Sequence, residues 1–326
     1  MVLQYSGYDI IGDIHGCSNT LENLLCKLGY RDEGRVYYHP SRQVLFVGDV
    51  VDRGPHIREA LHIVKNMVDA GTARCVMGNH EYNALGYITP TPESEGTSNV
   101  SYVRAHNVRH NRMIAETLMQ FASYPEEWRV FVEWFRSLPV FLEIDGIRVV
   151  HACWDGDLIR QYKNLEREFV FDTSFIQESA DKTSFAGRFM DRLTRGTDLH
   201  LPDGHRIKSK DGFYRHMFRT KFWSQNPTLL EDVAFQPDPL PSNLAQNPLS
   251  EQDKQELIYY GRDEPPVFVG HYWLQGRPKP LRNNVACLDY SAVKYGRLAA
   301  YRYDGERTLC ASKFEWIYVE ADNDNE

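Results

Sequence analysis

Five short apolar runs, rich in β-branched and aromatic residues, each end abruptly at a polar side chain. Runs of this length and composition predict buried β-strands. In four cases a glycine separates the strand from the polar residue, and glycine lets the chain turn sharply out of a sheet. The runs, with the residues that follow them, are Tyr8–Ile11 before Gly12 and Asp13, Val44–Val47 before Gly48 and Asp49, Ala73–Met77 before Gly78 and Asn79, Ile147–Val150 before His151, and Val267–Val269 before Gly270 and His271.

Two helical patterns separate the first three runs. An apolar stripe over residues 21–28 ends at Gly29, and a second stripe over residues 57–68 ends at Gly71. The order strand, helix, strand, helix, strand predicts an α/β fold with a parallel sheet and helices on its faces. Ligands of such sheets bind beyond the carboxyl ends of the strands, and all five polar groups lie at such ends.

The chain is predicted to form one domain, residues 1–326, whose core is interrupted by two inserts. The inserts, residues 83–140 and 155–262, are too long to be bare loops, so each should contain its own elements. Residues 108–121 and 126–137 have helical patterns, and the aromatic side chains of the second pattern predict core packing. The core ranges are 8–82, 141–154 and 263–312.

Composition excludes several classes of protein. The 326 residues carry a formal net charge of −8, which disfavours duplex nucleic acid as a partner because phosphate neutralisation needs a basic surface. No apolar stretch approaches the roughly 18 residues of a membrane-spanning helix, so no membrane partner is expected. The six cysteines form no C-x-x-C pair, and the first residues do not resemble a signal peptide. These features predict reduced thiols and a cytoplasmic location, whereas the oligomeric state is not predicted.

The side chains at the strand ends are those that bind divalent metal ions. They comprise two aspartates, three histidines and one asparagine. Carboxylate and amide oxygens suit hard cations, and imidazole suits transition metals. One shared carboxylate could bridge two ions about 3.5–4 Å apart. The candidate metal ligands are Asp13, His15, Asp49, Asn79, His151 and His271.

Three motifs among these residues resemble the signature of the calcineurin-like metallophosphoesterases. They are the sequences GDIHG at residues 12–16, GDVVDRG at 48–54 and GNHE at 78–81. The uninterrupted second motif is similar to the phosphoprotein phosphatase branch, which includes serine/threonine phosphatases and symmetrical bis(5′-nucleosyl)-tetraphosphatases. The resemblance is strongest over residues 8–82 and is closest to the bacterial members. It implies a four-layer α/β/β/α sandwich.

The resemblance also implies a role for each matching residue. Asp13 and His15 would bind the first metal ion, Asp49 would bridge, and Asn79, His151 and His271 would complete the second site. His80 would act as general acid, oriented by Asp52, and Arg53 would hold the phosphate. A metal-bridging water would attack in line. Two divalent ions are therefore expected, with manganese predicted and iron, zinc or nickel as alternatives.

Other positions depart from the family pattern. His271 is followed by Tyr272 where the family usually has threonine, and His151 by Ala152 and Cys153. Metal binding is still predicted despite these changes, but the substrate class is not. Arg215 and Arg219 are candidates for a second arginine that holds substrate phosphate, and Glu81 is expected to support His80 or a metal ligand.

The function predicted first is hydrolysis of phosphate monoesters in a phosphorylated small molecule, nucleotide or phosphoprotein. The first alternative is a dinucleoside polyphosphate hydrolase, whose bases could stack on aromatic residues of the inserts. The second alternative is a non-enzymatic binding protein with the phosphatase fold, which the presence of both His80 and Asp52 disfavours. A nucleic-acid phosphodiesterase is a weaker option.

Overall fold

The computed structural model describes residues 5–92, 100–165, 168, 170–208, 214–235, 240–294 and 296–319. The predicted α/β class is confirmed. The described strands form two main mixed sheets and three small two-stranded ribbons. In chain order they are β1 (Gly7–Ile11), β2 (Arg31–Asp32), β3 (Tyr37–Tyr38), β4 (Arg42–Phe46), β5 (Ala73–Cys75), β6 (Phe141–Ile144), β7 (Ile147–Val150), β8 (Asp198–His200), β9 (Ile207–Lys208), β10 (Tyr214–Arg215), β11 (Met217–Arg219), β12 (Val267–Val269), β13 (Val285–Cys287), β14 (Asp289–Tyr290), β15 (Arg297–Tyr303) and β16 (Phe314–Tyr318).

The first main sheet has the order β14-β15-β1-β4-β5, and β16 also pairs with β15. Strands β1, β4 and β5 are parallel, as the strand–helix alternation predicts. The next strand, β15, runs antiparallel to β1, with Ile10 opposite Tyr301. A purely parallel sheet was therefore too simple a prediction, because a strand from the end of the chain adds to the edge next to β1.

The second main sheet has the order β13-β12-β7-β6. Residues 285–290, near the end of the predicted core, form two strands that belong to different sheets. Residues 285–287 belong to this sheet, whereas Asp289 and Tyr290 pair with β15 in the first sheet. The chain passes from one sheet to the other at Leu288, which is buried between them. A continuous apolar run cannot reveal this crossing, because both halves are buried strands.

The two sheets pack face to face. Their shared core includes Ile10 and Leu45 from the first sheet and Val149 and Phe268 from the second, all without exposed surface. Alternate residues of the same strands point outward and join the larger apolar cluster with the helices, as the twofold periodicity of a strand requires. Helices thus cover the sandwich.

The helices pack around this sandwich and extend over its edge. Helix α1 contacts β16, α2 contacts β5, and α3 contacts α5, α7 and α8. None of the helices in the described ranges is long and apolar enough to cross a membrane. The helices are α1 (Ser18–Leu28), α2 (Ile57–Asp69), α3 (Asn79–Ile88), α4 (Val108–Gln120), α5 (Pro125–Ser137), α6 (Gly156–Lys163), α7 (Thr173–Glu178), α8 (Phe185–Arg195), α9 (Leu230–Val233), α10 (Ser242–Ala245) and α11 (Glu251–Glu256).

Both predicted inserts contain elements of their own. The helices predicted at 108–121 and 126–137 are α4 and α5. The aromatic side chains of α5 at Phe131, Trp134 and Phe135 are buried, so this stripe is core. Because α3 contacts both α5 and α8, elements of the two inserts meet beside the helix that begins at Asn79.

Candidate metal centre

The strand ends bring the six predicted metal ligands to one edge of the sandwich. All six side chains are buried. The backbone there is unusual: five of the nine non-glycine residues with positive φ in the described chain are predicted site residues. Such conformations cost energy and persist where the surrounding structure enforces them. The five residues are His15, Asp49, Asp52, Arg53 and His271.

Asp49 lies at the centre of the cluster. Its Oδ2 atom is 3.3 Å from His151 Nε2, 3.6 Å from His15 Nε2 and 3.9 Å from His80 Nε2. Asp13, Asp49 and His151 have ligand atoms within 4.8 Å of one another, and so do His15, Asp49 and His80. Asp49 is the residue shared by both groups, which is the arrangement expected of a bridging ligand.

Asn79 and His271 complete the cluster on the His151 side. Asn79 Oδ1 is 2.7 Å from His271 Nδ1 and 3.2 Å from His151 Nε2. The backbone N–H of His271 donates to Asp13 Oδ2 at 3.1 Å. A side chain at Gly270 would collide with the Asp13 carboxylate, so glycine is required where this strand passes the site.

Backbone carbonyls orient two of the imidazole rings. His15 Nδ1 contacts the Val51 carbonyl at 2.8 Å, and His151 Nδ1 contacts the Val47 carbonyl at 2.7 Å. In each ring the Nδ1–H is therefore the donor, and Nε2 is left to face Asp49. Metal-binding histidines characteristically have such a partner on the distal nitrogen.

Glu81 supports the loop that carries Asp49. Its carboxylate accepts hydrogen bonds from the backbone N–H groups of Asp49 at 2.9 Å, Val50 at 2.8 Å, Val51 at 3.3 Å and Gly78 at 2.9 Å. It therefore fixes two strand-end loops at once. The GNHE motif points to this glutamate, but only the folded chain reveals that it binds backbone rather than His80.

We expect Glu81→Gln to lower the free energy of unfolding by about 2–6 kcal/mol. The amide of glutamine has one acceptor oxygen, so at least two buried N–H groups would lose their partner at about 1–3 kcal/mol each. Urea denaturation followed by circular dichroism measures this change. The control is Glu126→Gln, because the Glu126 side chain is 81% exposed. Equal stability of the two variants would contradict the prediction.

A second hydrogen-bonded set adjoins the cluster. His80 Nδ1 is 2.6 Å from Asp52 Oδ2, and Asp52 Oδ1 accepts a 2.5 Å hydrogen bond from the Thr117 hydroxyl. The Asp52 backbone N–H donates to the same hydroxyl at 3.1 Å. Thr117 lies in α4 of the first insert, and no sequence signal identified it, because threonine within a helix is common.

Burial and charge set the protonation states in the cluster. Burial raises the pKa of Asp13 well above its usual value, and the Asp289 carboxylate adds to the rise. Burial would also raise the pKa of Asp49, but His151 and His80 outweigh it and hold that pKa well below normal. Burial would lower the pKa of His151, yet Asp49 raises it to about 10. A proton on His151 thus compensates the buried carboxylate charge.

These residues fit divalent cations. Buried carboxylates need compensating charge, and the donor set of aspartate, asparagine and histidine suits first-row transition metals. Burial lowers the pKa of His15 and of His271, with Arg53 contributing to the first and Arg219 to the second. Both rings are therefore neutral, as metal ligands must be. In the described chain, the buried His271 Nε2 and Asp289 Oδ2 atoms have no hydrogen-bond partner.

We expect metal affinity to increase with pH. His151 must lose a proton to bind a metal ion, and its pKa in the metal-free chain is about 10. Below that pH, the apparent affinity should rise about tenfold per pH unit for this one proton. The stability of the metal-free fold should change with pH in the opposite direction. Protonated His151 contributes its full stabilisation below pH 6.5, the usual pKa of histidine, and this contribution is lost as the pH rises towards 10.

Calorimetric titration of metal-free protein with Mn²⁺ checks this expectation. Runs at one pH in two buffers of different ionisation enthalpy report the number of protons released. Binding without proton release, or affinity that is unchanged between pH 6 and pH 8, would contradict it.

The three predicted arginines lie in different surroundings. Arg53 is exposed, with its guanidinium 3.3 Å from His15 Nε2 and 5.2 Å from the Trp273 ring centre. Arg219 is largely buried, and its Nη1 donates to the His271 carbonyl at 3.4 Å. Arg215 lies on the β9–β10 ribbon, opposite Ile207. The roles of Arg215 and Arg219 in phosphate binding stay predictions.

Two further residues near the cluster were not assigned a role from the sequence. Asp289 is buried, and its Oδ1 accepts a hydrogen bond from the Ser291 backbone N–H at 2.9 Å. Its nearness to Asp13 depends on the crossing between the two sheets, which the sequence did not predict. Arg195, at the end of α8, donates to Asn83 Oδ1 on α3, and one arginine within a basic helix gives no local signal.

Comparison with known proteins bears on this geometry. A family model described as calcineurin-like phosphoesterase matches residues 8–206. The asymmetrical bis(5′-nucleosyl)-tetraphosphatase PrpE of Halalkalibacterium halodurans is 33% identical over 171 residues, which are 50% of this chain. The enzyme of the same name from Geobacillus thermodenitrificans is 31% identical over 213 residues, 63% of this chain and 80% of that protein. The chain spans 63% of the length of the first relative.

A solved structure supports the fold assignment. The structure of a protein serine/threonine phosphatase from Saccharomyces cerevisiae aligns with 99% of this chain and 82% of its own, with a TM-score of 0.51. The sequence identity is 16%, so this likeness concerns the fold alone.

Proposed function

The chain belongs to the calcineurin-like phosphoesterase family, and from this premise we propose that it is a metal-dependent phosphatase that hydrolyses phosphate monoesters. The observation that carries the proposal is the His80–Asp52 pair beside the cluster around Asp49, with 2.6 Å between His80 Nδ1 and Asp52 Oδ2. A proton donor is most useful where the leaving group is a poor one, as the alkoxide of a monoester is.

Two divalent ions would be held by the six clustered side chains. Asp13, His15 and Asp49 would bind one ion, and Asp49, Asn79, His151 and His271 the other. Bound ions of this kind lower the pKa of water and neutralise phosphate charge. We propose manganese as the native metal.

His80 would hold and transfer the proton that the leaving oxygen needs. Its Nδ1–H donates to Asp52, so the proton available for transfer in the charged imidazole lies on Nε2, which faces Asp49. The Thr117 hydroxyl fixes Asp52 from the opposite side. The ring therefore has one tautomer and one orientation, which reduces the entropy lost on reaching the transition state.

Arg53 would bind and orient the phosphate. Its guanidinium is exposed at the edge of the cluster and offers the planar set of donors that matches two phosphate oxygens. The Trp273 ring beside it limits its freedom to move. Phosphate held between Arg53 and the metal ligands would be presented to His80.

A substrate panel tests the proposal. Protein of defined manganese content is expected to hydrolyse p-nitrophenyl phosphate and phosphoserine peptides, and chelation should abolish both activities. Metal-loaded protein that is inert towards monoesters and phosphoanhydrides alike would contradict it, and would favour a non-enzymatic binding protein.

A second candidate function is hydrolysis of dinucleoside polyphosphates. The observation that favours it is that two relatives, 31% and 33% identical to this chain, are named bis(5′-nucleosyl)-tetraphosphatases. Including diadenosine tetraphosphate in the same panel separates the candidates by their kcat/KM values. A kcat/KM more than about tenfold above that of the phosphoserine peptides would make this the main activity.

A further inference from the structure

His271 is held differently from the other two histidines proposed as metal ligands. His15 and His151 each donate from Nδ1 to a backbone carbonyl, which fixes the ring. The Nδ1 of His271 instead faces Asn79, another proposed ligand, at 2.7 Å, and its Nε2 has no hydrogen-bond partner within the described ranges. The position of this ring therefore depends on the backbone that carries it.

The backbone at His271 forms a strained turn. Its φ is +67°, and the Tyr272 N–H donates to the Gly270 carbonyl at 2.7 Å. A hydrogen bond between residues two apart, across a positive φ, is the mark of the rare and strained form of the γ-turn. A residue other than glycine keeps such a conformation only where the surrounding structure enforces it. Contacts next to His271 must therefore supply that constraint.

Tyr272 fixes the chain directly after this turn. Its side chain is fully buried against an aromatic cage from the second insert, which consists of Phe222, Trp223 and Phe235. The ring centres of Trp223 and Phe235 lie 4.9 and 5.0 Å from that of Tyr272, both edge to face, and that of Phe222 lies 6.4 Å away. Edge-to-face pairs are favourable beyond the area that they bury, so the cage holds the Tyr272 ring in one place.

Two further residues of the second insert complete the surroundings of Tyr272. A Cβ at Gly196, which follows α8, would lie 2.8 Å from the Tyr272 hydroxyl oxygen, so the glycine leaves room for the tyrosine. The Arg219 guanidinium carbon is 5.9 Å from the Tyr272 ring centre, and its Nη1 donates to the His271 carbonyl at 3.4 Å. The Tyr272 hydroxyl is buried and has no hydrogen-bond partner among the residues that the structure describes. Packing of the ring, rather than its hydroxyl, therefore supports the turn.

We propose that Tyr272 is a positioning residue, which holds His271 in its metal-binding conformation by packing against the aromatic cage. The inference rests on the proposed function, because it needs His271 as a metal ligand. Threonine, which the resemblance leads one to expect after this histidine, is too short to fill the space between the cage residues. The second insert thus acts on the metal centre through the one position where this chain departs from that pattern.

Manganese binding, measured without turnover, tests this role. The unmodified protein should bind two equivalents of Mn²⁺ in calorimetry and show the spin-coupled electron paramagnetic resonance signal of a bridged pair. Tyr272→Thr should weaken binding of one of the two ions by about tenfold or more, because a relaxed turn must be strained again before that ion can bind. The coupled signal should weaken with it. Tyr272→Phe should retain both ions, because the ring and its packing are kept.

Further variants separate positioning from folding. Tyr162→Thr removes another buried ring of the second insert, which stacks on Phe189 at 4.6 Å, and it should lower stability yet keep both ions. Phe235 is only partly buried, so Phe235→Ala should fold and show a smaller loss of the same ion. Full binding by both Tyr272→Thr and Phe235→Ala, equal loss in Tyr162→Thr, or loss in Tyr272→Phe would overturn the positioning role. Fewer than two ions in the unmodified protein would refute the proposed centre itself, and the role of Tyr272 with it.

Discussion

Replacing Asp49 by asparagine is expected to abolish hydrolysis of p-nitrophenyl phosphate, with a fall of about 1,000-fold or more in kcat/KM. Asp49 Oδ2 lies within 3.9 Å of the Nε2 atoms of three imidazole rings, so loss of its charge affects both proposed metal positions. Metal ions contribute several kcal/mol to catalysis, and each 1.4 kcal/mol is about tenfold in rate. Elemental analysis of the dialysed protein should show loss of bound manganese together with loss of activity.

The matched control is Asp157→Asn. Its side chain is 79% exposed at the start of α6, and its ion pair with Arg160 is a surface pair. This variant should retain both manganese and activity. An Asp49→Asn protein that stays folded, binds two equivalents of manganese and turns over normally would refute the proposed centre.

His80→Ala is expected to lower kcat for a phosphoserine peptide by about 100- to 10,000-fold while manganese stays bound. The loss should be smaller with p-nitrophenyl phosphate, because its stabilised phenolate needs less protonation on leaving. We expect manganese to stay bound because His80 is paired with Asp52 at 2.6 Å, and its Nε2 is farther from Asp49 Oδ2 than those of His15 and His151. Comparison of kcat for the two substrates measures this difference.

Two further variants make the interpretation specific. His80→Asn keeps a polar side chain in the buried position, and it should show the same dependence on the leaving group if folding is intact. Asp52→Asn should also lower kcat, because it removes the carboxylate that orients His80. If His80→Ala loses manganese, or slows both substrates equally, His80 is a metal ligand rather than the proton donor.

Many of the helices and strands could be predicted from the sequence. Helices α4 and α5 begin and end within one residue of the predicted ranges. Their apolar stripes repeat every three to four residues, and this periodicity is local information. The ends of the strands could also be predicted, because short apolar runs that stop at a glycine or a polar residue are typical of buried strands.

The division of strands between sheets could not be predicted in the same way. The run over residues 285–288 is apolar and continues directly into Asp289, yet Cys287 and Asp289 pair in different sheets. Hydrogen-bond pairing joins residues that are far apart in the chain, so the partner of a strand is decided by packing of the whole sandwich. The charge of Asp289 raises the pKa of Asp13 only because of this crossing between the sheets.

The sequence by itself determined which side chains could bind metal ions and on which edge of a sheet they lie. Residue type, strand length and the glycines at the turns are local properties, and they sufficed for Asp13, Asp49 and His151. Only the tertiary structure decided what surrounds that edge: Thr117 against Asp52, and Arg104 and Arg195 against Tyr82. These contacts join the inserts to the core over long separations, and they depend on how helices pack against one another.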